Sequence, residues 1–226
     1  IDTAPTFVKP KRLTSKLELL FIGKFWQRKG GDIALETLIK LRERGINCRL
    51  TIIGCSPPNL PQSEDIVIHS YLDKNNAHDR DRFHEIQTRS HFLILPTRGD
   101  CTPMVIAEAN AFGTPVICSD VGGISSLVDD GVNGKLMKLD DGANQYADTI
   151  INLTQNEDIY AHYSQGARKV FETKLNWQAW SESFLELANH HLHQSELNEF
   201  QSDNKAPTGE TSTLLTNPLE TTESVI

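Results

Sequence analysis

Asp100 and Glu108 are the two residues whose types and spacing best suit chemistry. They lie in the stretch Leu95–Gly134 (LPTRGDCTPMVIAEANAFGTPVICSDVGGISSLVDDGVNG), one in a polar loop and the other in the helical run that follows. His91–Leu95 reads as a short buried strand, Pro96–Cys101 as the loop, and Thr102–Phe112 as a helix with Pro103 in its first turn. The first N–H groups of such a helix lack intrahelical acceptors. Those of Met104 and Val105 would face out of the sheet's carboxyl edge with the positive end of the helix dipole behind them. A diphosphate suits that position. Glu108, more than one turn further in, can accept two vicinal hydroxyls of a ribose, while Asp100 in the loop can reach a second sugar. The geometry is that of a sugar nucleotide site. A solvated helix Glu and an exposed loop Asp stand as the alternative, because exposed carboxylates are the rule.

Cations are the next requirement, since a nucleotide diphosphate leaves only if its growing negative charge is stabilised. Lys24 and Lys29 flank a loop bounded by Gly23 and the Gly30–Gly31 pair. A merely solvated basic loop (Lys24, Arg28, Lys29) is the alternative.

These residues need a scaffold that brings separate loops to one edge. Leu17–Ile22 is an apolar strand ending at Gly23, and Asp32–Arg44 carries Ile33, Leu35, Leu38, Ile39 and Leu41 at helical spacing before Gly45 stops it. Cys48–Ile53 and Ile66–His69 read as the next strands, a helix is expected around Arg82–Thr88, and Val116–Ser119 reads as a further strand. Alternating helices and non-alternating buried strands predict an α/β fold, a Rossmann-like parallel sheet with helices on both faces. Right-handed crossovers then collect Gly23, Gly54, Tyr71, Asp100 and Asp120 on one carboxyl edge, where open α/β sheets bind ligands. Gly142–Leu192 reads as mostly helical, with amphipathic runs at Tyr146–Leu153 and Trp177–Ala188. The expected organisation is a linker at 1–16, a nucleotide-sugar-binding domain at 17–193 and a polar, disordered tail at 194–226.

At 226 residues the chain can bury one full-sized core plus a tail. The net charge of −8 argues against a nucleic-acid surface, so any anion site must be local. Cys48, Cys55, Cys101 and Cys118 form no CxxC pair and sit in or beside strand-like, core-facing segments, which reads as reduced thiols of a cytoplasmic protein. Neither they nor the histidines, including His69, His84, His91, His190 and His191, have metal-ligand spacing, and no metal is expected. No apolar run approaches the roughly 20 residues of a membrane span. No Ser-His-Asp grouping, Walker loop or Gly-x-Gly-x-x-Gly occurs, which sets aside hydrolase, kinase and dehydrogenase readings. The chain opens with Ile1 and linker-like residues, and is expected to be a fragment.

Glu108–Val116 (EANAFGTPV), Val121–Gly123 (VGG) and Leu17–Gly31 (LELLFIGKFWQRKGG) together resemble the donor-binding half of the family 4 retaining glycosyltransferases, of GT-B type. That family's motif is Glu, seven residues, Glu, then Ala-x-Ala-x-Gly-x-Pro-Val and a Gly-Gly turn. The resemblance runs from about Leu17 to the helix around Trp177. It implies transfer of a sugar from a nucleotide-diphosphate sugar to an acceptor hydroxyl with retention of configuration, without a bound metal or cofactor. Glu108 matches the ribose ligand. Asp100 stands where the family has its first Glu, one methylene shorter, on the side where positive charge develops at the anomeric carbon. Gly23, Lys24 and Lys29 match the diphosphate grip, with Lys24 replacing the usual Arg and so losing a bidentate fork. Pro103 replaces a small Gly and removes one N–H donor. Cys101 and Thr102 line the same turn, where Thr102 is expected to cap the helix or meet the donor. Gly122 and Gly123 match a flexible turn near the donor sugar, followed by Ser125 and Ser126 in place of Pro-Glu. Ser70, Tyr71 and Leu72 fall where the base lies, though Tyr71 reads equally well as core. The resemblance also implies a preceding acceptor domain, absent here, so that the fragment binds donor and transfers nothing, and any membrane docking belongs to the intact enzyme. The alternatives are a non-catalytic sugar-nucleotide-binding module and a GT-B-type epimerase. A phosphorylase would need a pyridoxal-anchoring lysine motif, which is not seen.

Overall fold

The computed structural model describes residues 4–6, 8, 11–57, 60 and 63–203, with side chains to 191. Six strands, β1 (Leu17–Ile22), β2 (Cys48–Ile53), β3 (Ile66–His69), β4 (Phe92–Leu95), β5 (Val116–Ser119) and β6 (Gly134–Met137), form one sheet in the order β3-β2-β1-β4-β5-β6. Every pairing is parallel. The helices are α1 (Gly31–Glu43), α2 (Ala77–Arg89), α3 (Met104–Ala111), α4 (Ala143–Thr154), α5 (Glu157–Thr173) and α6 (Trp177–Asp203). The chain divides into two compact units, Ile1–Ser181 and Glu182–Ile226. The sheet and α1–α5 lie in the first. The second carries the remainder of α6. No helix among the described residues is long and apolar enough to cross a membrane.

Strand periodicity explains the core. Leu19 and Phe21 of β1 join Leu50 and Ile52 against Leu38 and Leu41 of α1 and Tyr146 and Ile150 of α4. Leu20 joins Ile53, Leu93 and Leu95 in a second cluster with Phe83 and Ile86 of α2 and Ile106 of α3. Each fully buried Leu or Ile contributes about 1.5–3 kcal/mol, so both faces of the sheet must be covered. The strand order turns back between β1 and β4, and the crevice outside their carboxyl ends is the switch point where such sheets take ligands.

Besides one-residue shifts at the start of β4 and at both ends of α1, four larger differences from the expected elements occur. Helix α2 starts at Ala77, because the Asn76 side chain accepts the Asp79 N–H at 3.2 Å and caps a turn whose charged residues hide its period. Helix α3 starts at Met104: Pro103 is extended (φ −68°, ψ 108°) and occupies the cap position, and a residue preceding proline, here Thr102, is driven from helical geometry. Strand β6 follows the DGVNG turn and was not expected. Helix α6 continues through residues 194–203, a stretch free of Gly and Pro, where a disordered tail was expected. The remainder of that tail, 204–226, lies outside the described residues.

The segment expected as a linker is tied to the sheet's amino edge, opposite the switch point. Lys11 Nζ donates to the carbonyls of Gln87 and Ser90, each at 2.6 Å, and to Thr114 Oγ1 at 2.5 Å. At the far end of α3, Asn133 Nδ2 donates to Asn110 Oδ1 at 2.7 Å, Asn110 Nδ2 to the Thr114 carbonyl at 3.2 Å, and Asn133 Oδ1 accepts the Asp129 N–H at 2.7 Å. This buried polar network fixes the helix that carries Glu108.

Candidate functional site

The loops after β1, β4 and β5 meet at the switch point because glycines let their backbones touch. Gly30, at φ +74°, lies so close to the Pro96 carbonyl that a Cβ would overlap it. Gly122, at φ +62°, lies equally close to the Asp100 carbonyl, and Gly123 to that of Cys101. The Gly122–Gly123 pair therefore works as a spacer holding the β5 loop flat on the β4 loop. Gly23 is buried against the stem of Lys29 and accepts no larger side chain without moving it. Polar bonds staple the same loops: Arg28 Nη1 donates to the Gly99 carbonyl at 2.8 Å, and the Arg98 N–H to the Arg28 carbonyl at 2.8 Å. Arg98 also clasps Asp32 at 2.9 and 2.7 Å. Burial pushes the Asp32 carboxyl up, but the Arg98 hydrogen bonds and charge outweigh it and hold that carboxyl below its usual range.

Within this frame Lys29 donates to Asp100 Oδ2, and both side chains are mostly buried. The pair was not expected from the sequence, which assigned the two residues to different parts of a ligand. Lys24 is exposed and makes no ion pair with a carboxylate among the described residues. The two expected grip lysines thus differ: one is committed to Asp100, and the other has no carboxylate partner among the described residues.

Helix α3 presents the second half of the site. Its cap residue, Pro103, offers no side-chain acceptor, and the Met104 and Val105 N–H groups have none among the described residues. The orphan donors foreseen from the sequence are therefore in place, two residues closer to the helix start than the expected Thr102 start would put them. Thr102 does not cap the helix. It is exposed, and with Met104, Ala107, Leu127, Trp177 and Trp180 it lines an apolar groove of about 420 Å³. Cys101 is likewise exposed and not core-facing, and all four cysteines are free.

Glu108 is the most informative side chain. It is 15% exposed and accepts from Lys74 Nζ at 2.5 Å through Oε1, while Oε2 is buried with no hydrogen-bond partner among the described residues. An anionic oxygen left so is costly unless something completes it. Lys74 comes from the β3–α2 loop, the loop expected to meet the base, and its ammonium also lies 4.3 Å over the Phe83 ring. No sequence signal marked it, because the pairing spans 34 positions. In that loop Tyr71 is 73% exposed, which excludes the core reading, whereas Leu72 packs inward on the second core cluster. Just before it, burial lowers the pKa of His69, with Arg82 and Arg89 adding to the effect. No group of three or more His, Cys, Asp or Glu side chains among the described residues could hold a metal ion.

Comparison with known proteins gives a consistent picture. The profile of the family described as "Glycosyl transferases group 1" matches residues 16–156. An uncharacterized glycosyltransferase of Methanocaldococcus jannaschii is 28% identical over 162 residues, which cover 70% of this chain and 44% of that protein. The chain thus spans less than half the length of such relatives. The Anabaena protein HepE, solved in complex with UDP-glucose, superposes with a TM-score of 0.63 at 14% identity, over 77% of this chain and 49% of its own. The carboxyl-terminal domain of a group 1 glycosyltransferase from Francisella tularensis superposes with a TM-score of 0.59 at 16% identity, over 71% of this chain and 87% of that one.

Proposed function

The chain belongs to the glycosyl transferases group 1 family, and from that premise we propose that it is the donor-binding half of a retaining, family 4 type hexosyltransferase that uses a nucleotide-diphosphate sugar. The observation that carries this reading is the buried, unpartnered Oε2 of Glu108, one helical turn behind the uncapped start of α3. A ribose hydroxyl supplies the missing donor at that oxygen, and the diphosphate meets the Met104 and Val105 N–H groups. The fold match to a structure described as a carboxyl-terminal domain, and the span of less than half of the relatives, support the assignment to one half of a two-domain protein.

In this reading Lys24 and Lys29 gather the negative charge that grows on the leaving diphosphate, so no resident metal is required. Lys29 must loosen its bond to Asp100 as the diphosphate arrives. That step frees the Asp100 carboxylate for hydroxyls of the transferred sugar and for the positive charge at the anomeric carbon. The chain alone binds donor, and transfer to an acceptor hydroxyl needs the other half. The free thiols accord with a reducing, cytoplasmic setting.

Calorimetric titration with UDP, GDP and ADP tests the reading. One of them is expected to bind saturably, and Glu108→Gln to weaken it by about 10- to 100-fold, the worth of hydrogen bonds to a charged group. Absence of binding by the unmodified chain, or equal binding by the variant, would overturn it.

A further inference from the structure

We infer that Lys74 and Glu108 form a two-part ribose clamp in which Glu108 Oε2 accepts from one hydroxyl and Lys74 Nζ donates to the oxygen of the other, so that Lys74 determines selectivity for ribonucleotides. The inference rests on the donor-site reading above and extends it to a residue that neither the sequence motifs nor the family match singles out. A lone carboxylate would take a vicinal diol with both oxygens. Here Oε1 is already occupied by Lys74, at 2.5 Å, and Oε2 is without a partner among the described residues. Each ribose hydroxyl is both donor and acceptor, and a carboxylate beside an ammonium offers one complement of each kind.

The position of Lys74 is built rather than incidental. Its loop is fixed by the Asp73 N–H to Asp79 Oδ2 bond at 3.0 Å and the Asn75 N–H to Asp73 Oδ1 bond at 3.0 Å, and Asn76 caps the helix that follows. The Phe83 ring under the ammonium, itself buried, gives the side chain a preferred course toward Glu108. Lys74 remains half-exposed, so its side chain is not sealed away from a ligand.

The test is calorimetric titration of the chain with UDP, 2′-deoxy-UDP and 3′-deoxy-UDP, or the same series of whichever base binds, against the unmodified protein, Lys74→Met and Lys74→Arg. The unmodified protein is expected to bind both deoxy ligands at least about tenfold more weakly than the ribonucleotide. Lys74→Met should lose about tenfold for the ribonucleotide and cease to distinguish it from one of the two deoxy ligands, while Lys74→Arg keeps most of the discrimination. Unchanged affinity and selectivity in Lys74→Met would overturn the clamp while leaving the donor site standing. An equal loss for all three ligands would also overturn it, reducing Lys74 to a prop for the loop. Indifference of the unmodified protein to both hydroxyls overturns it without any variant, and failure of that protein to bind any nucleotide overturns the donor site and the clamp together.

Discussion

At the scale of single residues, both site carboxylates are held by lysines, and the two pairs have opposite consequences. Lys74 leaves one buried oxygen of Glu108 without a partner among the described residues, whereas Lys29 and Asp100 occupy each other. On the proposed reading, donor binding therefore works against the second pair. Asp100→Asn is expected to tighten binding of the free nucleotide diphosphate by at least about threefold, since Lys29 no longer has to leave a charged partner in a mostly buried pair. Titration of UDP or its binding equivalent reads this directly, and weaker binding would contradict the exchange of partners. Lys29→Met should act the other way, weakening the diphosphate by about tenfold while leaving a nucleoside monophosphate nearly unchanged. Comparing the two ligands on that variant checks it. The sequence made the place of Glu108 within α3, the place of Lys24 in the loop after β1 and the orphan amides of α3 legible, because each follows from a local rule about helix starts and turns. It could not reveal the lysine partners, since side-chain pairs across 34 or 71 positions depend on which loops the sheet brings together.

The elements carry this precision through α3. Only eight residues long, it holds Glu108 in place by its buried face and by the Asn110–Asn133 network at its far end. Replacing Asn133 by Leu leaves the Asp129 N–H and Asn110 Oδ1 without partners and is expected to cost about 2–4 kcal/mol, measured by denaturant unfolding. A loss under about 1 kcal/mol would mean that α3 is fixed by packing alone. Strands β1, β2, β3 and β5 were readable to the residue as compact apolar runs bounded by turn residues. Strand β6 was not, since Gly134–Met137 is short, contains Lys135 and is recognised only by its pairing with β5. The early start of α2 and the late start of α3 both turn on one residue's backbone geometry, Asn76 as a cap and Pro103 as an extended stop.

Across the whole molecule the two edges of the sheet do different work: the carboxyl edge gathers the site, and the amino edge fastens the leading segment. His91 belongs to the latter, its Nδ1 accepting the Glu18 N–H at 2.9 Å. Burial, with the Lys11 charge adding, brings its pKa down to about 4. The unfolded chain takes up that proton near 6.5, so stability should fall as pH drops from about 6.5 to about 4, by about 3 kcal/mol, and level off below. Urea unfolding against pH, compared between the unmodified protein and His91→Gln, reads this, and an equal slope in both would contradict it. Placement of the donor at the opposite edge is the central claim. Amide chemical-shift mapping with UDP, GDP and ADP tests it most directly. The account predicts that the ligand that binds shifts the amides of Gly23, Lys24, Met104, Val105, Glu108 and Gly122 most, with Lys74 among them. Shifts centred on Lys11 and His91 at the amino edge, or spread without a focus, would contradict it.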